Sequence, residues 1–437
     1  MKYSASSSGN QTGPMGVDFG DERRCEFERR SGLLRLGDAV AFQRQPVETL
    51  AQRRRTGGRL FPLTSVVAGR MLVVGDPKLA HEVLHARPGT YLAGAANRRI
   101  LPVLPENSVL TLDGEPHRQR RRKLAPMFHG AALEAISPVI RELAAREVEQ
   151  WPVGRPFAVL PRMRWLALSV AVRLILGIAD PACINQLERH LREGLRPYPM
   201  LSGISALTRL GRWSPHAAGV RGRRAFARGL AEVVRSGRTN SSDEASVPEP
   251  LGPDEVFTLL LAAHETTATG LAWAIELLAR APHAADAVAR ELRGSERQSL
   301  DAVIWEALRL RPPLVDIVRQ ANVPVRLAGR DVPAGALLLI PPPLIHREAA
   351  AEDGDRFEIA RFRGSRPDPY RWLPFGGGDR RCLGASLATL ELREILPQII
   401  ERFELTPARS EPERQRLYGT ALVPDRGACV VLSRRRE

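Results

Sequence analysis

The longest apolar stretch of the chain, residues 256–279, limits most strongly what this protein can fold into. It is interrupted by the polar cluster His-Glu-Thr-Thr at residues 264–267. A lipid-exposed span would not tolerate that cluster cheaply, because the bilayer offers it no polar partner. The pattern therefore predicts a long helix over residues 254–280, inside a protein core and ended by Ala281-Pro282. We expect no membrane span.

Helical periodicity also dominates the rest of residues 114–310. Short strand-like pieces lie before and after this region, and a final helix is predicted over residues 385–403. The sequence contains no internal repeat and no linker of domain size. It predicts a mainly α protein with small β-sheets, in which residues 21–437 form a single large domain behind a disordered tail of residues 1–20.

Local signals place several elements along the chain. Residues 65–74 resemble strands around a glycine turn, and Asp76 with Pro77 is typical of a helix start. Residues 91–110 are expected to be irregular, and residues 235–254, rich in Ser, Glu and Pro, to be a connector.

Composition excludes several classes of protein. The 437 residues are 43% hydrophobic, too apolar for a disordered or collagen-like chain, and four cysteines are too few for a disulfide scaffold.

Without an export signal, we expect a cytoplasmic protein with reduced cysteines. The formal charge of +15 would suit nucleic acid, but the arginines are not interleaved with aromatic residues. We therefore expect no nucleic-acid partner and a basic surface suited to an acidic one.

The segment FGGGDRRCLG at residues 375–384 is the most informative part of the chain. Its three glycines allow positive φ angles and a close approach to a flat ligand. Cys382 precedes a predicted helix, where free N–H groups favour a thiolate, and Arg380 and Arg381 are expected to act in the same direction. Such a thiolate can be an axial iron ligand or a nucleophile.

This segment resembles the haem-thiolate signature of the cytochrome P450 family, Phe-x-x-Gly-x-Arg-x-Cys-x-Gly, at every fixed position. The resemblance implies the cytochrome P450 fold, with thiolate-ligated haem b (iron protoporphyrin IX) between the long central helix and the cysteine loop. It implies that Cys382 is the proximal iron ligand and that Phe375 packs beneath the sulfur. Gly378 and Gly384 would give the loop its shape.

Glu306 and Arg309 lie at i and i+3 on a predicted helix, and Arg361 follows in the sequence Ala-Arg-Phe. Alone, such a pair carries little information. Before the cysteine segment it resembles the Glu-x-x-Arg motif of the same family, with Arg361 as the third member of an ion-pair network. The usual Pro-Glu before that arginine is Ile359-Ala360 here. The implied role is structural, to hold the cysteine loop.

Two cationic donors, His117 and Arg121, lie at i and i+4 and could bind one pair of anionic groups. A basic helix face is the simpler alternative, because arginines and a lysine surround them. By resemblance, His117 and Arg121 hold the haem propionates, and Arg319 and Arg380 are two further propionate contacts.

The polar cluster of the long helix, Ala262-Ala263-His264-Glu265-Thr266, resembles the oxygen-activation motif of the family. Thr266 would help to deliver protons during dioxygen activation, Glu265 would relay them, and Ala262 would lie against the haem. Ala263 replaces the usual glycine. A core role is the alternative for the threonine, because its hydroxyl can bond the i−4 carbonyl.

The resemblance implies a monooxygenase that inserts one atom of dioxygen into an apolar small molecule of the fatty acid, terpenoid or polyketide/macrolide class. Too few residues follow Cys382 for a fused flavin domain, so a separate ferredoxin or flavodoxin with its reductase is expected. Arg380, Arg381 and the basic residues 118–123 are candidates for docking that acidic carrier. The protein is expected to be a monomer.

Side chains expected in the substrate pocket are mostly aliphatic, with one acidic member. They are Leu92, Val109, Phe257, Leu261, Val315, Asp316, Ile317 and Leu422. Asp316 either pairs with Arg319 or meets a polar group of the substrate. A peroxide-driven enzyme, an isomerase or an oxidative coupling enzyme on the same scaffold is an alternative, and a non-catalytic basic binding protein is an alternative of another class.

Overall fold

The structure is a computed structural model and describes residues 32–65, 68–101, 103–195, 215–239, 251–294, 297–350 and 353–435. The expected tail of residues 1–20 lies outside these ranges. Within them the helices are α1 (Gly32–Arg44), α2 (Pro46–Gly57), α3 (Pro77–Leu84), α4 (Ala93–Ile100), α5 (Gly114–Leu124), α6 (Ala131–Glu149), α7 (Leu160–Leu176), α8 (Pro181–Leu195), α9 (Pro215–Thr239), α10 (Pro253–Arg280), α11 (Pro282–Leu292), α12 (Gln298–Leu310), α13 (Pro342–Ala349) and α14 (Ala385–Ile400).

Twelve short strands complete the described part. They are β1 (Leu60–Ser65), β2 (Gly69–Val74), β3 (Tyr91–Leu92), β4 (Phe157–Ala158), β5 (Ile317–Ala321), β6 (Val325–Leu327), β7 (Arg330–Val332), β8 (Leu337–Ile340), β9 (Phe403–Pro407), β10 (Gln415–Tyr418), β11 (Ala421–Pro424) and β12 (Cys429–Arg434). The largest sheet has the order β1-β2-β8-β5-β3, and only its β2–β8 pair is parallel. The predicted fold class, mainly α with small sheets, is confirmed.

The long helix α10 forms the centre of the main hydrophobic core, as its apolar pattern predicted. It packs against α7 and α12 and against the strand β9. Trp273 on this helix is fully buried and donates its indole N–H to the Leu422 carbonyl at 2.7 Å. Side chains are buried along residues 255–260 and again along residues 267–279. Residues 261–266 between them remain accessible, with Ala262 exposed.

Local capping explains why several elements begin where they do. The Asp76 carboxylate accepts a hydrogen bond from the Leu79 N–H at 3.0 Å, with Pro77 in the first turn of α3. The β6–β7 hairpin turns through Ala328 and Gly329, both with positive φ.

Two expectations about irregular segments were wrong over part of their length. Residues 93–100 form a helix, α4, whose first N–H groups are bound by a carboxylate from elsewhere in the chain: Asp113 accepts from Gly94 and Ala95, each at 2.7 Å. The helix has no local start signal, because the residue that binds its first N–H groups, Asp113, lies about twenty residues further along the chain. The connector expected from residue 235 is helical up to Thr239, and residues 240–250 lie outside the described ranges.

Among the described residues, no single helix is long and apolar enough to cross a membrane. The helix α7 and the segment Pro181–Glu193, bent by 103° at their junction, meet the length and composition criteria only when taken together.

Candidate functional site

The cysteine loop is closed by a hydrogen bond from the Cys382 N–H to the Phe375 carbonyl, at 2.8 Å. Gly376 and Gly378 adopt φ angles of 69° and 63°, in the region that favours glycine. A Cβ at Gly378 would also collide with the Leu84 carbonyl oxygen of α3. Gly378 is therefore required twice, by its own backbone angle and by the close approach of another helix.

Gly384 is different, because its φ is −87° and an added Cβ would meet the Phe128 Cδ1 at 3.9 Å, an ordinary contact. The protein part of the site does not by itself require glycine there. Phe375 is half-buried in the loop and packs edge-on against Trp372, with ring centroids 5.8 Å apart.

The Cys382 side chain is exposed, although its thiol lies among enough protein atoms for burial to affect its pKa. Burial raises the pKa of its thiol, while the Gly384 N–H, Arg121 and Arg381 lower it. Without a metal ion the thiol therefore keeps its proton. An iron ion would release that proton, because a coordinated thiol is deprotonated outright.

The expectation that Arg380 acts on the thiol was wrong. Its guanidinium donates to the Asp113 carboxylate at 2.7 Å and also bonds the Leu112 carbonyl. Arg121 takes its place among the charges near the sulfur. The sequence could not distinguish them, because Arg121 lies on α5, far from the cysteine along the chain.

The four groups predicted to hold the haem propionates lie close enough for their charges to shift one another's pKa. They are His117, Arg121, Arg319 and Arg380. Burial, with Arg380 and Arg121, lowers the pKa of His117 to about 4. Burial, with Arg380, lowers the pKa of Arg319 to about 10, and Asp113 acts in the opposite direction. Excess positive charge in an enclosed place requires an anion, and the two propionates of haem supply such charge.

Arg319 shows this requirement most clearly. It lies on β5, is only 7% exposed, and donates to the carbonyl of Val318 at 2.8 Å. No carboxylate of the described residues lies within ion-pair distance of its guanidinium. The donor chemistry of the site therefore fits haem. The described residues hold no cluster of three or more His, Cys, Asp or Glu side chains suited to a metal ion.

The accessible residues 261–266 of α10 carry the other predicted groups. The Thr266 hydroxyl donates to the Ala262 carbonyl at 2.7 Å, one helical turn earlier, as the alternative considered for it proposed. Ala263 is partly buried and packs against the main core. Ala262 is exposed and Thr266, one helical turn later, is only partly buried, so one face of this otherwise largely buried helix is open to a flat ligand.

Arg164 on α7 is a residue that the sequence did not reveal. Its Nε and Nη2 bond both carboxylate oxygens of Glu265, with distances of 2.6–3.2 Å. The guanidinium also lies over the Tyr418 ring, 5.3 Å from its centroid. The His264 Nε2 lies 3.8 Å from the same carboxylate. Arg164 is 101 residues away along the chain, so no local pattern could have paired it with Glu265.

The Glu306 carboxylate, on α12, accepts from the Arg309 Nε at 2.6 Å and from its Nη2 at 2.9 Å. Arg361 lies 3.5 Å from the same carboxylate. Arg309 also donates to the carbonyls of Gly354 and Arg356, at 2.8 and 3.0 Å. The structure thus brings together the three residues predicted to form one network, and ties them to the segment that leads to the cysteine loop.

His346 is fully buried on α13 and has both ring nitrogens bonded. Its Nδ1 lies 2.8 Å from the Arg309 carbonyl, and its Nε2 accepts from the Leu373 N–H at 2.7 Å. Burial lowers the pKa of His346 to about 3, so the ring is neutral. It joins the network helix to the start of the cysteine loop.

The predicted pocket residues divide into two groups. Leu92, Leu261, Asp316 and Ile317 are partly accessible. Val109, Phe257, Val315 and Leu422 are buried, and Phe257 packs on Phe226 with centroids 5.1 Å apart. The structure therefore does not bring the second group to an accessible surface.

Of the two alternatives for Asp316, the pairing with Arg319 is wrong, because no ion pair joins them and neither is among the causes of the other's pKa shift. They are three residues apart along an extended segment, which directs their side chains to opposite sides.

A protein with this helical fold, a glycine-shaped cysteine loop and an enclosed cationic cluster belongs to the haem-thiolate class. A sequence model described as cytochrome P450 matches residues 253–429. Putative cytochrome P450 135B1 of Mycobacterium tuberculosis is 35% identical over 418 residues, covering 90% of this chain and 88% of that protein. Putative cytochrome P450 138 of Mycobacterium bovis is 32% identical over 426 residues, covering 92% and 95%.

Solved structures give the same result. CYP175A1 from Thermus thermophilus is similar with a TM-score of 0.73 at 25% identity, over 90% of this chain and 96% of that one. The retinoic acid-bound cyanobacterial CYP120A1 has a TM-score of 0.74 at 21% identity, over 88% and 94%. The chain belongs to the cytochrome P450 family, whose members are haem-thiolate monooxygenases. It is an oxidoreductase that binds haem through a cysteine thiolate.

Proposed function

We propose that Cys382 is the thiolate ligand of the haem iron, with the haem between the accessible residues 261–266 of α10 and the cysteine loop. The observation that carries this assignment is the loop geometry, in which Gly378 has no space for a side chain and the Cys382 side chain stays exposed. Phe375 and Gly384 would flank the thiolate ligand, and Ala262 would lie against the haem.

His117, Arg121, Arg319 and Arg380 hold the two propionates. The enclosed positive charge of this group and the lack of a described carboxylate beside Arg319 support this role. Asp113 orients Arg380 and at the same time binds the first turn of α4, so it connects the propionate site to the segment over residues 93–100.

When bound, the haem supplies the reductive activation of dioxygen. The residues of the chain would hold and move protons: the Thr266 hydroxyl would present one at the accessible face of α10, and the Glu265 carboxylate would take a proton from solvent water and relay it to that hydroxyl. Glu265 is held by Arg164, so its carboxylate must exchange that partner before it can reach the hydroxyl. Arg164 is a positioning residue in this scheme.

One atom of dioxygen enters an apolar small molecule of the fatty acid, terpenoid or polyketide/macrolide class. The accessible side chains of Leu92, Leu261 and Ile317, which are aliphatic, support an apolar substrate. The electrons come from a separate ferredoxin or flavodoxin with its reductase. We take residues 21–437 as one catalytic domain and the protein as a cytoplasmic monomer.

Fewer of the predicted cations are available to dock the electron carrier than the sequence alone suggests. Arg118 and Arg122 are paired with Glu115, and Arg120 is paired with Glu255 at 2.6 Å. Lys123 and Arg381 are exposed and make no ion pair with a described residue. These two cations are the better candidates, because their charges are available to an acidic partner.

The test is the absorbance spectrum of the reduced protein under carbon monoxide, compared among wild type, Cys382→Ser and Cys429→Ser. We expect the strongly red-shifted haem band of thiolate ligation in the wild type and in Cys429→Ser, which removes a partly buried thiol on β12. Cys382→Ser should lose it. A red-shifted band in Cys382→Ser, or no haem in the folded wild type, would refute the assignment.

A second comparison tests the proton route with matched threonines. Thr266→Val should lower the amount of product formed per electron pair consumed, because reduced oxygen then escapes unused. Thr267→Val, at the buried neighbouring position, should leave that ratio unchanged. A peroxide-driven enzyme would instead turn over faster with peroxide than with the reductase system, and Thr266→Val would then have little effect.

A further inference from the structure

Two histidines at the end of α3 have no role in the proposed haem chemistry. His81 and His85 enclose the sequence His-Glu-Val-Leu-His, a spacing that places two histidines on one face of a helix, as in helical zinc sites. Their rings stack, with centroids 4.2 Å apart and planes inclined by 25°. His81 is partly accessible and His85 is exposed, so a ligand can reach the pair from solvent.

The hydrogen bonding of the pair leaves nitrogen lone pairs free. The His85 Nδ1 lies 3.1 Å from the His81 carbonyl oxygen, which can only accept, so Nδ1 donates its proton and Nε2 keeps the lone pair. A histidine that binds a metal ion typically donates its second ring N–H to a backbone carbonyl in this way, because the bond fixes the tautomer and the ring orientation. The His81 ring nitrogens have no hydrogen bond to a described residue, so they are also available.

The separation of the two rings suits a single ion. Ring nitrogens bind zinc at about 2.0–2.1 Å, so two nitrogens on one ion are at most about 4 Å apart. Rings stacked at 4.2 Å can present their nitrogens at that spacing after a small change of tilt. The Tyr370 ring stands edge-on to His81, with centroids 4.3 Å apart. The carbonyl end of α3 also favours a cation, because the helix dipole is negative there.

We propose that His81 and His85 form a surface site for a divalent transition-metal ion of the zinc, copper or nickel type, which imidazole prefers. Within the part of the chain that the structure describes, no third His, Cys, Asp or Glu joins the pair, so water completes the coordination and the ion exchanges with solvent. The site lies beside the cysteine loop, because the His85 Cε1 is 3.5 Å from the position of a Cβ on Gly377. A bound ion would therefore stabilise the contact between α3 and that loop.

The test is equilibrium dialysis of haem-loaded, untagged protein against zinc, with wild type, His81→Ala, His85→Ala and His283→Ala. We expect each of the first two substitutions to weaken zinc binding at least about tenfold, since the loss of a second-shell partner alone costs about 10–100-fold. His283→Ala, which removes an exposed histidine of α11, should leave the affinity unchanged. Magnesium should not displace the zinc, because it prefers oxygen ligands.

Copper(II), added at one equivalent, reports the ligands directly. Its electron paramagnetic resonance spectrum should show coupling to two ring nitrogens in the wild type and to one in either single variant. Both histidines are accessible, so the variants should fold, and circular dichroism checks this. Equal zinc affinity in the wild type and the His81→Ala/His85→Ala double variant overturns the inference. A wild type that binds no zinc, or a copper spectrum that neither substitution changes, overturns it as well.

Discussion

Charged side chains in the interior of this protein differ in whether they have an ionic partner within the protein. The Glu306 network is complete in itself: a carboxylate and a guanidinium bond each other, and the remaining Arg309 donors bind backbone carbonyls. Arg319, which is predicted to hold a haem propionate, and Asp316, in the same segment, differ from this network, because neither has an ionic partner among the described residues. Complete pairing fits charges that hold a scaffold, and incomplete pairing fits charges reserved for a ligand.

The largest effect should come from breaking the complete group. Glu306→Gln leaves the Arg309 guanidinium, 4% exposed, without its counter-charge, and should lower the free energy of unfolding by about 3–5 kcal/mol. Urea unfolding of the haem-loaded protein measures this. Glu142→Gln is the matched control, since it removes an exposed pair with Arg146 and should cost less than about 0.5 kcal/mol. Equal losses in the two variants would contradict the distinction.

Removing an unpaired charge should raise the free energy of unfolding rather than lower it. Burial raises the pKa of Asp316 to about 7, above its usual 3.8, so the unfolded chain releases this proton at a lower pH than the folded protein. Stability from this group is therefore lost as the pH rises from about 4 to 7. Asp316→Asn should gain about 1–2 kcal/mol at pH 8, after allowance for screening by water, and nothing at pH 4. A loss at pH 8 would show that Asp316 has a stabilising partner.

The Arg319→Gln variant tests whether the unpaired guanidinium serves to hold haem rather than to stabilise the fold. Its removal should not destabilise the fold, because no described carboxylate loses a partner, but haem should leave the protein about tenfold faster, corresponding to about 1.4 kcal/mol. Transfer of haem to an excess of apomyoglobin measures the rate. Arg326→Gln on β6 is an exposed control and should leave the rate unchanged. If the Arg319→Gln variant fails to fold, Arg319 stabilises the protein itself, and the prediction is wrong.

The smallest effect concerns His346, which belongs to the scaffold. Its folded pKa of about 3 lies below the usual 6.5, so only the unfolded chain takes up this proton between those values. Its contribution is complete above pH 6.5 and falls by about 1 kcal/mol from pH 6.5 to 5.5. His346→Gln should reduce that slope, leaving the similar part that His117, with a pKa of about 4, supplies. An unchanged slope in unfolding experiments across this range would exclude His346.

The sequence by itself determined the elements whose signals are local. The apolar run produced α10, Asp76 and Pro77 began α3, and FGGGDRRCLG defined both the cysteine loop and the family. Backbone angles, capping and helical periodicity depend on residues a few positions apart, so these features can be inferred along the chain.

The tertiary structure decided which charged groups meet. Arg164 reaches Glu265 across 101 residues, Arg380 binds Asp113 rather than acting on the thiol, and Asp316 lacks a described ionic partner although Arg319 is three positions away. Each pairing depends on how separate helices and strands pack, and a long arginine side chain can reach several alternatives. Local sequence specifies the backbone of the site, whereas its electrostatics arises only when distant segments are enclosed together.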